Sequence, residues 1–140
     1  MNRTETIEAL RSVALFETLG HKDLNEVARR AEEVEVPAGT MLAQEGRTGE
    51  QAFVIIEGSA AVRRNYRKVA TLGPGEVFGE MSLIEGVPQS LTVQTLEDSR
   101  LLMISRADFH HLIEHVPGFA SKLLVSLSRR LREATRKLVG

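Results

Sequence analysis

The stretch from residue 72 to residue 93, LGPGEVFGEMSLIEGVPQSLTV, contains the residues whose types and spacing favour ligand chemistry. Its opening L-G-P-G predicts a turn, and F-G-E-M-S-L is long enough for one or two helical turns. The free N–H groups at the start of a helical turn form an anion site, and Gly79 lets a partner come close because it has no Cβ. Glu80 can accept hydrogen bonds from sugar hydroxyls. The stretch therefore predicts a site that holds a phosphate and a ribose side by side.

This pattern resembles the phosphate-binding cassette of cyclic nucleotide-binding domains. The family's pattern is F-G-E with small and apolar residues after it, followed by P-R-[AS]-[AS]-[TS]-V. The positions that fit here are Phe78, Gly79, Glu80, Ser82, Leu83, Pro88, Ser90, Thr92 and Val93. The family's arginine, which pairs with the cyclic phosphate, is replaced by Gln89.

The resemblance implies a role for several of these side chains and a ligand, cAMP or cGMP. Gly79 and Ser82 would supply backbone N–H groups, and Glu80 would hold the ribose 2′-hydroxyl. Ser90 would contact the phosphate or the base. The complete set of expected ligand-binding residues is Phe78, Gly79, Glu80, Met81, Ser82, Gln89, Ser90, Thr92 and Thr135.

The last helix is expected to close over the base, as it does in the family's bacterial transcription regulators. Those regulators contact adenine with adjacent threonine and serine residues. Counted from Pro117, a proline shared with the family, the equivalent pair here is Ala134 and Thr135. Only half of that pair is retained, so the resemblance leaves the choice between adenine and guanine open.

Gln89 lowers the affinity that the resemblance implies. A hydrogen bond to a charged group contributes about 1.5–3 kcal/mol, so its loss weakens binding by about 10- to 150-fold. The glutamine amide still donates a hydrogen bond, but it has no charge and no bidentate fork. Arg47, Arg63 and Arg64 are the nearby basic residues that could replace the missing charge. We therefore predict weak or atypical binding of cAMP or cGMP.

The composition of the chain excludes several other kinds of site. It has 140 residues and no cysteine, which excludes thiolate-bound iron–sulfur clusters, Cys-type zinc sites and disulfides. The absence of cysteine suits a reducing cytosol, and we expect a cytoplasmic protein. No apolar run approaches the length of a membrane span, and the first residues do not resemble a signal peptide.

Catalytic and metal sites are not expected either. The chain has no thiol nucleophile and no G-x-S-x-G motif, so we predict that it is not an enzyme. His111 and His115 share a helix face, as metal ligands can, but a zinc site needs further ligands nearby. We predict surface histidines at positions 110, 111 and 115, and no metal.

The elements that must position the cassette follow from the spacing of apolar residues. Amphipathic helices are predicted over 4–16 and 23–33. The apolar period then changes from 3.6 to 2, and seven or eight short strands separated by turn signals are predicted between 34 and 104. A helix is predicted after Ser105, and the last helix extends from Pro117 to Leu138.

The sequence therefore predicts a mainly β fold with flanking helices (α+β). We expect one domain over 1–140, an antiparallel β-roll or jelly roll similar to the cyclic nucleotide-binding fold. The expected parts are N-terminal helices (1–33), a roll containing the cassette at 78–93 (34–104), and two C-terminal helices (105–140).

The last helix has apolar residues at coiled-coil spacing, and its two possible roles stay open. The seam consists of Ala120, Leu124, Leu127, Leu131, Ala134 and Leu138. Such a seam can pack on the chain's own roll as a lid, or it can pair with a second copy, and we favour a homodimer. The net charge is +5 from Pro117 onward and −6 before it, which we interpret as a solvated helix face.

The predicted hairpin tip, RRNYRK at 63–68, combines basic residues with one aromatic, as base-stacking proteins do. A solvated hairpin end is the commoner explanation. No helix-turn-helix follows the last helix, so we expect no direct sequence-specific DNA binding.

Two hypotheses on the function remain. The first is a cyclic nucleotide sensor that signals through the last helix to an unidentified protein. The second is a degenerate β-roll that serves for dimerisation or docking.

Overall fold

The structure is a computed structural model and describes residues 2–139. Its helices are α1 (Arg3–Arg11), α2 (His21–Arg30), α3 (Glu80–Glu85), α4 (Arg106–His115) and α5 (Pro117–Val139). Its strands are β1 (Glu32–Val36), β2 (Met41–Ala43), β3 (Gln51–Glu57), β4 (Ala60–Arg64), β5 (Arg67–Leu72), β6 (Val77–Phe78), β7 (Thr92–Thr95) and β8 (Ser99–Ser105).

The strands form two four-stranded sheets, with strand orders β1-β8-β3-β6 and β2-β7-β4-β5. Every pairing between strands in these sheets is antiparallel. β4 and β5 are joined as expected across Asn65 and Tyr66, whose φ angles of 52° and 69° are typical of a tight hairpin turn. The predicted antiparallel β-roll with flanking helices is confirmed.

The N-terminal helices are shorter than predicted. α1 ends at Arg11 rather than at residue 16, and the chain then turns through residues 12–19. Most apolar side chains of residues 12–19 are still buried, but Ala14 is exposed. α2 covers 21–30 rather than 23–33, because Ala31 is extended and Glu32 already pairs with Met103 of β8. Strand pairing therefore decides this boundary.

The core has two parts. One lies between the two sheets, and the other lies where the helices pack on the sheet that contains β3 and β8. In this second part, three aromatic rings connect the N-terminal segment, α4 and α5. Phe16 stacks on Phe119 with ring centroids 5.7 Å apart, and Phe109 meets Phe119 edge to face at 5.4 Å. The beginning of α5 is thereby fixed to the N-terminal segment and to α4.

A salt bridge also joins α2 to α4. Arg30 donates hydrogen bonds to Glu26 Oε1 at 2.9 Å and to Asp108 Oδ1 at 2.8 Å. The hydrogen bond from Arg30 lowers the pKa of Glu26. The helical layer is thus held by polar contacts at its surface as well as by its core.

The second half of α5 is exposed. Phe119 and Leu123 are buried and Leu127 packs partly on the core, but every residue from Ser128 to Leu138 is exposed. The seam residues Leu124, Leu131 and Leu138 are 69%, 69% and 87% exposed. The seam is therefore only partly covered by the chain's own roll. Within residues 2–139, no helix is both long and apolar enough to cross a membrane.

Candidate ligand-binding site

The cassette begins at a sharp turn that only glycine fits. Phe78 pairs with Phe53 across β6 and β3, and their rings stack with centroids 5.2 Å apart. Gly79 has φ 89°, a conformation that side chains rarely adopt. A Cβ on Gly79 would lie 2.8 Å from the Gln51 carbonyl oxygen. The turn is therefore packed directly against β3, and the short helix that follows is rigidly placed.

The cassette helix begins two residues later than expected. The sequence suggested a turn of helix over Phe78–Leu83, but α3 covers 80–85 because Phe78 is held in β6. Phe78 is 7% exposed and belongs to the core between the sheets. Met81, by contrast, is 52% exposed on α3.

Glu80 is the central polar residue of the site. It is 1% exposed, and its Oε1 forms an ion pair with Nη1 of Arg130 on α5. Arg130 Nη2 also donates to the Val77 carbonyl oxygen at 3.1 Å. The second carboxylate oxygen, Oε2, is buried and has no hydrogen-bond partner within the described residues. Because buried polar atoms are nearly always paired, this oxygen has the capacity to accept a further hydrogen bond.

Arg130 was missed by the sequence reasoning, which assigned the basic residues of the last helix to a solvated face. The contact joins residues 50 positions apart in the chain. The signal that could have found it is chemical. A glutamate in a buried turn needs a cation, and the predicted lid helix offers adjacent arginines at 129 and 130.

Ser82 is used inside the protein. Its hydroxyl accepts a hydrogen bond from the Gly49 N–H at 2.8 Å and donates to the Val87 carbonyl oxygen at 2.6 Å. Ser82 is 3% exposed. Its side chain therefore connects the loop before β3 to α3 and to the loop that follows α3. The expected ligand contact concerned only the backbone N–H of Ser82.

Gln89 lies against that same loop. Its N–H donates to the Arg47 carbonyl oxygen at 2.8 Å, and its carbonyl oxygen accepts from the Gly46 N–H at 2.9 Å. Thr48 and Pro88 form an isolated antiparallel bridge next to this pair. The nearest atom to a Cβ built on Gly49 is the Gln89 amide nitrogen, so the Gln89 side chain lies directly over the glycine.

Ser90 and Thr92 do not meet Glu80. Ser90 is exposed. Thr92 Oγ1 accepts from the Glu45 N–H and donates to Glu45 Oε2, both at 3.2 Å. The other oxygen of Glu45 accepts from the Asn65 N–H at 3.1 Å. Thr92 therefore helps to hold the β4–β5 hairpin tip in place.

Thr135, the residue expected to reach the base, is exposed on α5. At about 1.5 Å per residue it lies about 7.5 Å further along the helix axis than Arg130. Among the described residues, the α5 side chain that hydrogen-bonds to the cassette is Arg130, and the expected role of Thr135 stays a prediction.

Two cavities flank the cassette. One of about 320 Å³ lies beside Gln89 and is also lined by Arg47, Gly49 and Phe53. The other, of about 540 Å³, is lined by Thr92 and the hairpin residues Arg63 and Tyr66. Neither of these two cavities includes Glu80.

α4 supports the cassette from behind. Arg106 donates to the Gly49 carbonyl oxygen and, at 3.5 Å, to the Leu83 carbonyl oxygen. His110 Nε2 lies 3.0 Å from the same Leu83 oxygen. His110 and His111 are both half-buried, and of the three expected surface histidines His115 alone is exposed. Across the described part of the chain, no cluster of three or more His, Cys, Asp or Glu side chains could hold a metal.

Comparison with known proteins places this geometry in a family. The sequence model described as "Cyclic nucleotide-binding domain" matches residues 33–116, more than half of the chain. The chain is 36% identical over 107 residues to the Cyclic AMP receptor protein of Thermus thermophilus, covering 73% of this chain and 50% of that protein. It is 38% identical over 109 residues to a cyclic nucleotide-gated potassium channel of Mesorhizobium japonicum, covering 78% of this chain and 30% of the channel.

A solved structure shows the same arrangement. The crystal structure of Thermus thermophilus Catabolite Activator Protein superposes with a TM-score of 0.83 at 32% identity, over 89% of this chain and 61% of that one. The chain spans between 30% and 50% of the length of the first three curated relatives it matches. The cassette motif, the two antiparallel sheets and these similarities agree, and the chain belongs to the cyclic nucleotide-binding domain family.

Proposed function

We propose that residues 1–140 act as one cytoplasmic regulatory module that binds cAMP or cGMP and signals through α5. The observation that carries this proposal is the Glu80 carboxylate, which is 1% exposed and leaves Oε2 without a partner among the described residues. A ribose 2′-hydroxyl donating to Oε2 would satisfy that oxygen. Gly79 fixes the adjoining turn against β3, and the cyclic phosphate would lie at this turn.

The binding is weak or atypical in this proposal because Gln89 supplies no charge. The glutamine is nevertheless well placed, since its backbone is paired with Arg47 and its amide packs over Gly49. A neutral donor is therefore offered at the position where the family has a cation. The relatives' names support a cyclic nucleotide as the ligand, and they do not decide between adenine and guanine.

Signalling follows from the contact between Glu80 and Arg130. The part of α5 beyond Leu127 is exposed, and Arg130 is its contact with the cassette through Glu80 and Val77. A ligand hydroxyl on Glu80 changes the energy of that contact, because both groups share one carboxylate. The ligand thereby shifts the equilibrium between a docked and an undocked end of α5.

Isothermal titration of the whole chain with cAMP and with cGMP tests the proposal. We expect saturable binding of at least one of them, and at least tenfold weaker binding of 5′-AMP because its phosphate is not cyclic. Absence of binding at millimolar concentrations of both cyclic nucleotides would contradict the proposal. It would favour the second candidate function, a docking module without a small-molecule ligand, to which the exposed α5 seam also points.

The α5 seam predicts self-association in either case. Leu131 is 69% exposed in the seam. Its replacement by glutamate would place one carboxylate from each copy in the apolar contact between two paired α5 helices. We expect Leu131→Glu to convert a dimer to a monomer in light scattering at micromolar concentration. Arg132→Glu changes an exposed residue on another face of α5 and should leave the dimer intact. A monomeric parent protein, or a Leu131→Glu dimer, would contradict this prediction.

A further inference from the structure

We propose that Arg47 supplies the positive charge that Gln89 lacks, and that the two residues together hold the cyclic phosphate. This inference rests on the proposed function and names the residue that makes the site work. The backbone brings the two residues together. Gln89 N–H donates to the Arg47 carbonyl oxygen at 2.8 Å, and the Thr48–Pro88 bridge is immediately adjacent.

The Thr48–Pro88 bridge and the hydrogen bond from the Gln89 N–H to the Arg47 carbonyl oxygen place the backbones of Arg47 and Gln89 side by side. Both residues also line the same cavity of about 320 Å³. An arginine side chain is long enough to bring its guanidinium beside the end of the Gln89 amide. The pair therefore presents a neutral donor and a cation to one position.

The Arg47 side chain is available for a ligand. It is exposed, and within the described residues its guanidinium has no hydrogen bond and no ion pair. The acidic residue that lines the same cavity is Glu50, and it does not pair with Arg47. A phosphate would meet a guanidinium with five unused donors, which is the group best suited to bidentate anion binding.

The other basic candidates lie elsewhere. Arg63 donates to Gln94 Oε1 at 3.2 Å and lines the second cavity with Tyr66. Arg64 ends β4 at the hairpin tip and is exposed. Arg63 is paired with Thr92 at the end of the cassette, not with Gln89. Of the three arginines considered, Arg47 alone accepts a backbone hydrogen bond from Gln89.

The test is nucleotide titration of four whole-chain variants beside the parent protein. We expect Arg47→Ala to weaken binding of the preferred cyclic nucleotide at least tenfold, since a charge-assisted contact is lost. Arg64→Ala removes the same charge from an exposed site and should change affinity by less than about twofold. In the Gln89→Arg background, the added Arg47→Ala change should have a much smaller effect, because the new arginine supplies the charge.

The outcomes separate this inference from the proposed function. Equal affinity of the parent and Arg47→Ala, or equal losses from Arg47→Ala and Arg64→Ala, would overturn the role of Arg47 and leave the sensor proposal standing. Absence of binding by the parent protein would overturn both. Unchanged thermal midpoints for the alanine variants exclude unfolding as the cause of a loss.

Discussion

Replacing Glu80 by glutamine is expected to weaken binding of the cyclic nucleotide by about 10- to 150-fold, the effect of losing one hydrogen bond to a charged group. The carboxylate is 1% exposed, so a ligand hydroxyl that reaches it forms its hydrogen bond away from bulk water. The amide of glutamine has one oxygen rather than two, and Arg130 already needs an acceptor at this position. Isothermal titration measures the change.

The control for this variant is Glu85→Gln. Glu85 lies at the other end of α3, is exposed, and has no hydrogen bond or ion pair among the described residues. Its replacement should leave the affinity unchanged. Arg130 is 45% exposed and remains accessible to water when Glu80 is neutral, so we expect Glu80→Gln to fold. Its thermal midpoint checks this.

A cyclic nucleotide without the 2′-hydroxyl tests whether Glu80 binds that group of the ribose. The parent protein should discriminate strongly between the cyclic nucleotide and its 2′-deoxy form, whereas Glu80→Gln should discriminate weakly, because hydroxyl and carboxylate act as a pair. If both proteins discriminate equally, Glu80 does not hold the 2′-hydroxyl, and its role would be confined to anchoring Arg130.

Replacing Gln89 by arginine is expected to raise affinity at least tenfold. The substitution restores a charged, bidentate donor at a position whose backbone is already fixed by hydrogen bonds to Gly46 and Arg47. A charge-assisted contact corresponds to about 10- to 150-fold in affinity, so the gain is easily measured by titration.

Gln44→Arg is the matched control. Gln44 is exposed and lines the same cavity as Gln89, but its backbone is not paired with the cassette. The Gln44→Arg variant therefore adds the same charge to the cavity without fixing it beside the cassette. Its effect should be small. An unchanged affinity for Gln89→Arg, or an equal gain for Gln44→Arg, would count against the cassette as the phosphate site.

The cassette could be predicted from the sequence because its determinants are local. F-G-E after a turn needs only a glycine at positive φ and the glutamate beside it, and the structure places both as expected. The succession of short strands also followed from alternation and turn residues. The boundary of α2 did not, because the pairing of Glu32 with Met103 shortens the helix and depends on a distant strand.

Contacts across the fold could not be predicted in the same way. The sequence does not indicate that Arg130 lies next to Glu80, because the two side chains meet only after α5 has packed through Phe119 and Leu123. Ser82 and Thr92 matched the family pattern, yet their hydroxyls are occupied by Gly49, Val87 and Glu45. A motif identifies the residue types at a site but not which of their atoms remain free for a ligand.

Amide hydrogen exchange of the whole chain, with and without saturating cAMP or cGMP, reports on the cassette and on α5 in one experiment. We expect slower exchange in the cassette around Gly79 to Gln89 and, in the same sample, altered exchange in α5 around Arg130, because both segments share the Glu80 carboxylate. A change in the cassette alone would contradict signalling through α5. Unchanged exchange in both segments would contradict the account of this chain as a cyclic nucleotide sensor.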